Sequence, residues 1–275
     1  MKKVLFFSAL LALIFTGCKS DEPQTKHKVT FRVPSLMVET EPMSAPHKVA
    51  PLTDDDGQQM SDLFLFDGAT QIAHQTNAEA EFGTITVLLT AGTHHLHFIA
   101  TRSTGLSYDE GILNCTSLRP TFGKHYDLNV TGGRDENISL DRLTGQVVIT
   151  IEDEIPTGAS QLRIQMGDYY KGINPTTFAA TRSGAFDQTV NISGKVGLTN
   201  QSWTLNILVP TYASESNTTF TLTATNAGGD IIGQATGTMT INSNTKTLLH
   251  GNLFKGTRSF LSLITAWNAE EDVTF

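Results

Sequence analysis

The residues best suited to chemistry are three histidines in the run His94-His95-Leu96-His97. In an extended strand, His95 and His97 project to one face, about 7 Å apart, and His94 projects to the other. Two imidazoles can contribute to a zinc site, but such a site needs three or four ligands, and the nearby sequence indicates no Asp, Glu or Cys for it. We therefore interpret the run as a solvent-facing polar strand and predict no metal site.

Two acidic runs offer carboxylates. Asp54–Gly57 (DDDG) has the acid density of a calcium loop, but it lacks the alternating oxygen ligands and the closing Glu of a known pattern. Glu152–Glu154 (EDE) adjoin one another at the predicted end of a strand. We interpret both runs as solvated acidic segments rather than as binding or catalytic sites.

No arrangement typical of catalysis is present in the sequence. It contains no nucleophile elbow, no nucleotide-binding glycine loop, no zinc-binding helix motif and no carboxylate pair in a supporting context. The sequence therefore predicts a protein that is not an enzyme and takes no cofactor. The formal net charge of −8 repels phosphate backbones, which argues against a nucleic-acid partner.

The clearest chemical signal is a cysteine placed directly after an apolar N-terminal run. Lys2 and Lys3 precede an apolar stretch from Val4 to Phe15, which is shorter than the ~20 residues needed to span a bilayer. Thr16-Gly17 then leads into Cys18. A basic start, an apolar segment and small residues before a cleavage site are typical of a secretory signal peptide.

The junction before Cys18 resembles the lipobox of bacterial lipoproteins, with Phe15 where that family usually has Leu, Val or Ile. The resemblance implies that residues 1–17 are removed and that Cys18 carries lipid. Each buried methylene adds ~0.8 kcal/mol, so two or three acyl chains hold a protein on a membrane. The acidic run Lys19–Glu22 is similar to the surface-export signal of Bacteroidales outer-membrane lipoproteins. A plain secreted protein and an ordinary polar linker are the alternatives.

The chain has only two cysteines, which limits the covalent and metal cross-links that could stabilise it. If Cys18 carries lipid, Cys115 has no partner, so no disulfide and no Cys-based metal site is expected. Cys115 is most simply a buried or shielded thiol. Stability must then come from a hydrophobic core, for which 39% hydrophobic residues suffice.

The elements that must position these residues are predicted to be β-strands. Residues 27–33 place Val29, Phe31 and Val33 on one face and polar side chains on the other. Asp62–Asp67 (DLFLFD) is apolar on both faces, which is typical of a central strand of a sandwich. No stretch keeps a 3.6-residue apolar stripe over three turns, so little helix is expected.

The turn and strand pattern predicts the domain organisation. Thr84–Leu89 and Thr93–Thr101 flank Ala91-Gly92 as a predicted hairpin. Arg142–Gly145 is interpreted as a seam, after which a second series of alternating strands begins. An all-β fold of two tandem sandwiches is predicted, and one extended sandwich is the alternative. The predicted segments are a leader (1–17), a lipidated tether (18–27) and sandwiches over 28–141 and 142–275.

The order of these segments resembles that of the fimbrillin-like and FimB-type fimbrial anchor lipoproteins of the Bacteroidales. The resemblance is carried by the leader ending at Cys18, DLFLFD (62–67), the 84–101 segment, LDRLTGQVVITIEDEIP (140–156) and ITAWNAEEDVTF (264–275). It implies two transthyretin-like β-sandwiches in an anchor or accessory subunit of a surface pilus. Its implied partners are other fimbrial subunits and, through the lipid, the outer membrane.

The resemblance also implies assembly by strand exchange, in which an open groove of one subunit accepts an extended strand of a neighbour. The candidate exchanged residues are Val29, Phe31 and Val33 in the N-terminal strand and Phe260, Trp267 and Phe275 in the terminal segment. Arg32 and Lys48 are candidate cleavage sites for a protease that would remove the first strand. Ordinary pairing within the chain is the alternative for both segments.

A surface glycan-binding lipoprotein is the alternative function, with a glycan or a host surface as its partner. Exposed aromatic side chains clustered on one loop edge would favour it. Trp203 does not supply this signal, because it lies on an alternating apolar face and is expected in the core. A hydrolase would need a polar cleft with convergent carboxylates, which the sequence does not indicate.

Overall fold

The computed structural model describes residues 25–33, 52–54, 57–208, 216–255 and 260–266. These residues are almost entirely β-structure, with one 3-10 turn at Ser193–Lys195 and no α-helix among them. Nothing in these ranges forms a helix long and apolar enough to cross a membrane. The prediction of an all-β fold with little helix is confirmed. The predicted leader and Cys18 lie outside the described residues.

Within those ranges the chain forms eighteen strands in four sheets. The first ten are β1 (Lys26–Arg32), β2 (Asp62–Asp67), β3 (Thr70–Thr76), β4 (Thr84–Thr90), β5 (Gly92–Thr101), β6 (Ser107–Asp109), β7 (Ile112–Asn114), β8 (Thr121–Val130), β9 (Arg134–Asn137) and β10 (Asp141–Arg142). The others are β11 (Thr144–Ile151), β12 (Ala159–Ile173), β13 (Ala180–Asn191), β14 (Gln201–Leu208), β15 (Ser216–Asn226), β16 (Ile231–Ile241), β17 (Thr245–Gly251) and β18 (Phe260–Ala266).

A three-stranded sheet (β4-β1-β9) and a five-stranded sheet (β10-β8-β5-β2-β3) enclose the first core. Alternation places Phe31 of β1 and Leu96 and Phe98 of β5 in this core, all fully buried. The rings of Phe31 and Phe98 meet edge to face with their centroids 5.2 Å apart. The first core is therefore closed by β1 on one side and by β5 on the other.

Strand β2 is apolar on both faces because it separates two clusters of buried side chains. Leu63 and Leu65 belong to the first core, whereas Phe64 and Phe66 belong to a different cluster behind the five-stranded sheet. β2 pairs with β3 on one side and with β5 on the other. The prediction of an inner strand for DLFLFD is confirmed.

The hairpin predicted from Thr84–Leu89 and Thr93–Thr101 is wrong. β4 pairs with β1, whereas β5 pairs with β2 and β8 in the other sheet. Gly92 has a φ of 129°, a conformation that glycine adopts at little cost, and the chain passes there from one sheet to the other. The apolar faces of β4 and β5 are therefore buried against each other across the core, not side by side.

A four-stranded sheet (β14-β11-β17-β18) and a six-stranded arrangement (β16-β15-β12-β7-β6, with β13 also paired to β12) enclose the second core. Alternating residues such as Val147 and Ile149 of β11 and Leu162 and Ile164 of β12 fill it. Trp203 packs against this core and is partly buried, as expected from its place on an apolar face.

A third cluster joins the two sandwiches. The short β6–β7 hairpin pairs with β12, so a segment before the predicted seam extends a sheet that follows it. Phe64 and Phe66 of β2 belong to this cluster together with Ile173, Phe178 and Leu208 from the second part of the chain. The boundaries 28–141 and 142–275 stay a prediction, and the β6–β7 hairpin is an element that the sequence did not reveal.

Candidate assembly strands

Strand β1 is the middle strand of its sheet. It pairs antiparallel with β4 from Lys26 opposite Thr90 to Arg32 opposite Thr84, and it pairs in parallel with β9. Of its core-facing residues, Val29 and Phe31 have no exposed surface, and Val33, which follows the strand, is 5% exposed. Fully burying a side chain of this kind contributes about 1.5–3 kcal/mol. β1 is therefore an integral part of the first core.

The outer face of β1 is held by polar contacts. The Thr30 and Thr86 hydroxyl groups lie 3.1 Å apart, and the Arg32 guanidinium donates to the Asp135 carboxylate at 3.0 Å on the exposed surface. The backbone N–H of Val33 donates to the Gly83 carbonyl at 2.8 Å. Arg32, a candidate cleavage site, thus lies inside a strand that has partners on both sides.

Strand β18 is paired on one side only within the described residues. It runs antiparallel to β17, from Phe260 opposite Gly251 to Ala266 opposite Thr245. Phe260 is half-buried and meets Phe220 edge to face, with the centroids 6.2 Å apart. Leu261 is 68% exposed and Ile264 is 38% exposed. The described apolar side chains of β18 are therefore far less buried than Val29 and Phe31 of β1.

A carboxylate from the acidic run 152–154 holds the chain between β17 and β18. Asp153 accepts hydrogen bonds from the backbone N–H groups of Leu253, Phe254 and Lys255, at 3.0, 2.7 and 2.7 Å. Leu253 is fully buried in the second core. Asp153 is therefore not merely solvated, as the sequence suggested, but satisfies three backbone donors immediately before the terminal strand.

Asp54, in the other acidic run, is also structural. Its side chain has no exposed surface, accepts a hydrogen bond from the Gln58 N–H at 2.7 Å and pairs with Arg102 at 2.8 Å. The interpretation of this residue as solvated is wrong. A buried carboxylate requires such partners because desolvation penalises an unpaired charge.

The histidine run does not form a solvent-facing strand throughout. His94 bonds to the Asp67 carboxylate at 2.6 Å and the Thr90 carbonyl at 2.9 Å, and His95 bonds to Asp127 at 2.7 Å. His97 is only 8% exposed, because β5 is the middle strand of the five-stranded sheet and the other sandwich adjoins its outer face. Among the described residues, no group of three His, Cys, Asp or Glu is placed to hold a metal ion.

Cys115 and Tyr169 are both partly shielded from solvent. Cys115 is a free, half-buried thiol whose Sγ–H donates to the Lys171 carbonyl at 3.2 Å, and burial raises its pKa. Burial also raises the pKa of Tyr169 to about 12. Both side chains are thus protonated at neutral pH, and neither has the lowered pKa of an activated nucleophile.

The remaining candidate residues lie outside the described part of the chain. These are Cys18, Lys48, Trp267 and Phe275. The structure thus places Val29, Phe31 and Val33 together in one core and Phe260 separately, at the edge of the other sandwich. The role of Asp153 was missed because the backbone N–H groups that donate to it are about a hundred residues away in sequence, although three adjacent acids at a strand end hint at such a role.

Comparison with known proteins gave matches at the level of structure only. No protein-family model matches the sequence, and none of the curated proteins matches it. A candidate adhesin from Bacteroides ovatus ATCC 8483 aligns over 86% of this chain and 88% of its own, with a TM-score of 0.51 and 6% identity. The chain shares its fold.

Two further solved structures are similar. A candidate cell adhesion protein from Bacteroides ovatus ATCC 8483 has a TM-score of 0.50 and 8% identity, covering 91% of this chain and 100% of that one. The tip fimbrial protein Mfa3 from Porphyromonas gingivalis, with a C-terminal truncation, has a TM-score of 0.47 and 12% identity, covering 88% and 100%. At 8% identity, the likeness to the cell adhesion protein concerns the fold alone.

Proposed function

We propose that this chain is a non-enzymatic structural component of cell-surface fimbriae, of the fimbrillin-like kind. It is held at the outer membrane through lipid on Cys18, acts as an anchor or accessory subunit and joins other subunits by β-strand exchange. The observation that carries the proposal is the contrast between β1, an inner strand buried in its core, and β18, a half-exposed edge strand.

The surroundings of β1 are suited to strand exchange. Withdrawal of β1 would leave backbone hydrogen-bonding groups of β4 and β9 without partners, together with the spaces filled by Val29, Phe31 and Val33. An extended segment with alternating apolar side chains is the natural occupant of such a groove, because it restores both the ladder and the core.

The surroundings of β18 are suited to donation. Seven residues pair with β17, and Leu261 and Ile264 remain largely or partly exposed, so these two apolar side chains oppose detachment less than buried ones would. In an anchor that keeps its lipid and its first strand, β18 and the residues after it are the segment available to a neighbouring subunit. The fold shared with candidate adhesins of Bacteroides supports a role at the cell surface.

Mass spectrometry of the mature protein from its native membrane tests the anchor assignment. A lipid-modified N-terminus at Cys18, in material that co-purifies with fimbriae, is the expected result. A chain that begins after Arg32 or Lys48 without lipid would contradict the anchor assignment in favour of a processed, polymerising subunit. Lipid at Cys18 without any co-purifying fimbrial protein would contradict the fimbrial role and favour the glycan-binding alternative.

Disulfide locks between paired strands test the exchange itself. Cysteines replacing His250 and Leu261 would lock β18 to β17, and cysteines replacing Val29 and Val87 would lock β1 to β4. Thr221→Cys with Thr236→Cys is a matched control on β15 and β16, which are not proposed to exchange.

For an anchor, the β18 lock should abolish incorporation into fimbriae until a reductant is added, whereas the β1 lock and the control should be incorporated normally. Loss of incorporation with both locks would instead indicate an accessory subunit that also accepts a strand. If the chain with the β18 lock were incorporated into fimbriae as well as the control, the proposal that β18 is the donated strand would be refuted.

A further inference from the structure

A cleft runs along the side of the second sandwich, away from β1 and β18. It lies between β13 and β14, edge strands of the two sheets within the described residues, and residues 116–119 and β12 complete its wall. Its volume is about 440 Å³, which is in the range of ligand-binding clefts. No part of the proposed assembly mechanism uses it.

The cleft has an excess of positive charge. Arg119 and Lys171 both line it, and neither forms an ion pair with a carboxylate in the described part of the chain. The one acid in its wall, Asp187, already forms an ion pair with Arg163, whose Nε donates to it at 2.8 Å, and it also accepts a hydrogen bond from the Gln165 amide at 3.1 Å. In a chain with a formal charge of −8, two cations in one cleft that have no carboxylate partner among the described residues indicate an anionic ligand.

Aromatic and neutral polar groups accompany these cations. The rings of Tyr169 and Phe186 meet edge to face at 5.0 Å, and the Lys171 ammonium lies 5.5 Å from the centre of the Tyr169 ring. Gln188 and Asn206 supply amide groups, and the Oδ1 atom of Asn206 is buried without a hydrogen-bond partner in the structure. Such groups suit a ligand that carries hydroxyl groups and an apolar ring face as well as negative charge.

We propose that this cleft binds an acidic saccharide, a chain that contains uronic acid units. The Arg119 guanidinium and the Lys171 ammonium bind a sugar carboxylate, since charge-assisted pairs of this kind are short and strong. The amides bind the hydroxyl groups, and the aromatic pair contacts a ring face. A free inorganic anion would use the cations alone, and an acidic peptide would leave the aromatic pair without a matching ring. The inference does not depend on fimbrial assembly.

Titration calorimetry of the full mature protein with tetragalacturonate tests the proposal. Saturable binding is expected that weakens as ionic strength rises, because part of it is an exposed charge interaction. The neutral tetrasaccharide made by reducing the carboxylates to alcohols should bind at least about tenfold more weakly. Absence of saturable tetragalacturonate binding, or equal binding of the neutral oligomer, would overturn the proposal.

Variants assign the binding to the cleft. Arg119→Gln and Lys171→Gln should each weaken binding about tenfold or more, whereas Lys124→Gln, which removes the same charge from the first sandwich, should change it less than about twofold. Circular dichroism establishes that each variant is folded. If the variant that combines Arg119→Gln with Lys171→Gln bound tetragalacturonate as tightly as the unmodified protein, this site would be ruled out. Equally tight binding of a tetraglutamate peptide would overturn the choice of a saccharide.

Discussion

His97 and His125 show how side chains that suggest metal chemistry serve a structural contact instead. Their Nδ1 atoms lie 2.6 Å apart, so one ring donates an N–H hydrogen bond to the other, and both cannot be charged without repulsion. The ring of Phe178, which belongs to the cluster between the sandwiches, stacks on His125 with centroids 3.8 Å apart. Protonation of this pair therefore acts on the packing between the sandwiches.

Because of the His97–His125 pair, we expect the protein to lose stability in mild acid. Burial lowers the pKa of both His97 and His125, and for His97 the neighbouring charges of His125 and His95 act in the same direction. The unfolded chain thus binds more protons than the folded one, so the free energy of unfolding should fall as pH drops below the ordinary histidine pKa of ~6.5. Urea unfolding between pH 8 and pH 5 measures this.

The control for that prediction is a variant that cannot titrate at this contact. His97→Gln combined with His125→Gln should flatten the pH dependence over the same range. Burial tends to lower the pKa of His94, but its bonds to Asp67 and Thr90 raise it overall, so His94 contributes stability that is lost as pH rises. An unaltered acid-side slope in the double variant would contradict a role for the pair.

Asp54 is expected to matter more than its place in an acidic run suggests. Asp54→Ala removes the buried partner of Arg102 and the acceptor of the Gln58 N–H, and should lower the free energy of unfolding by about 2–4 kcal/mol. Asp141→Ala, which breaks the exposed pair with Lys124, should cost less than about 1 kcal/mol. Chemical denaturation measures the free energy of unfolding of both variants. Equal losses would mean that the burial of Asp54 is unimportant.

At the scale of elements, β18 is expected to depend on the carboxylate that precedes it. Asp153→Ala leaves three backbone N–H groups of residues 253–255 without their acceptor, at a cost of about 1–3 kcal/mol. Hydrogen exchange should show faster exchange of the amides of β18 and little change in β1. Glu154→Ala, which breaks an exposed pair with Lys255, is the control and should leave β18 protected. Unchanged exchange in β18 after Asp153→Ala would refute this role.

At the scale of the whole molecule, the third cluster is expected to make the two sandwiches unfold together. Phe66 and Leu65 are neighbours on β2, both fully buried, but Phe66 faces the cluster between the sandwiches and Leu65 faces the first core. Phe66→Ala should cost about 3–5 kcal/mol and Leu65→Ala about 2–5 kcal/mol.

Calorimetry distinguishes these two variants. Phe66→Ala should separate the unfolding into two transitions, because it weakens the contact between the sandwiches while the second sandwich keeps its own core. Leu65→Ala should lower the stability of the first sandwich without weakening its contact with the second sandwich. A single transition for Phe66→Ala, shifted as much as that of Leu65→Ala, would argue against coupling through this cluster.

The elements of this fold could be predicted because their periodicity is local. Alternation in residues 27–33 and the two apolar faces of DLFLFD are visible within a few residues, and each was found in the structure. The composition of the first core, including Val29 and Phe31, follows from the same alternation. The lipid site at Cys18 remains a prediction from the sequence alone.

Strand pairing and the roles of polar residues were decided by the tertiary structure. β4 directly precedes β5 in sequence yet pairs with β1, and Thr30 and Thr86, which are 56 residues apart, are in contact. Asp153 and Asp54 take their roles from backbone groups and a cation supplied by distant segments. Alternation tells which face of a strand is apolar, but many strands could cover that face, and only simultaneous burial of all of them selects the partners.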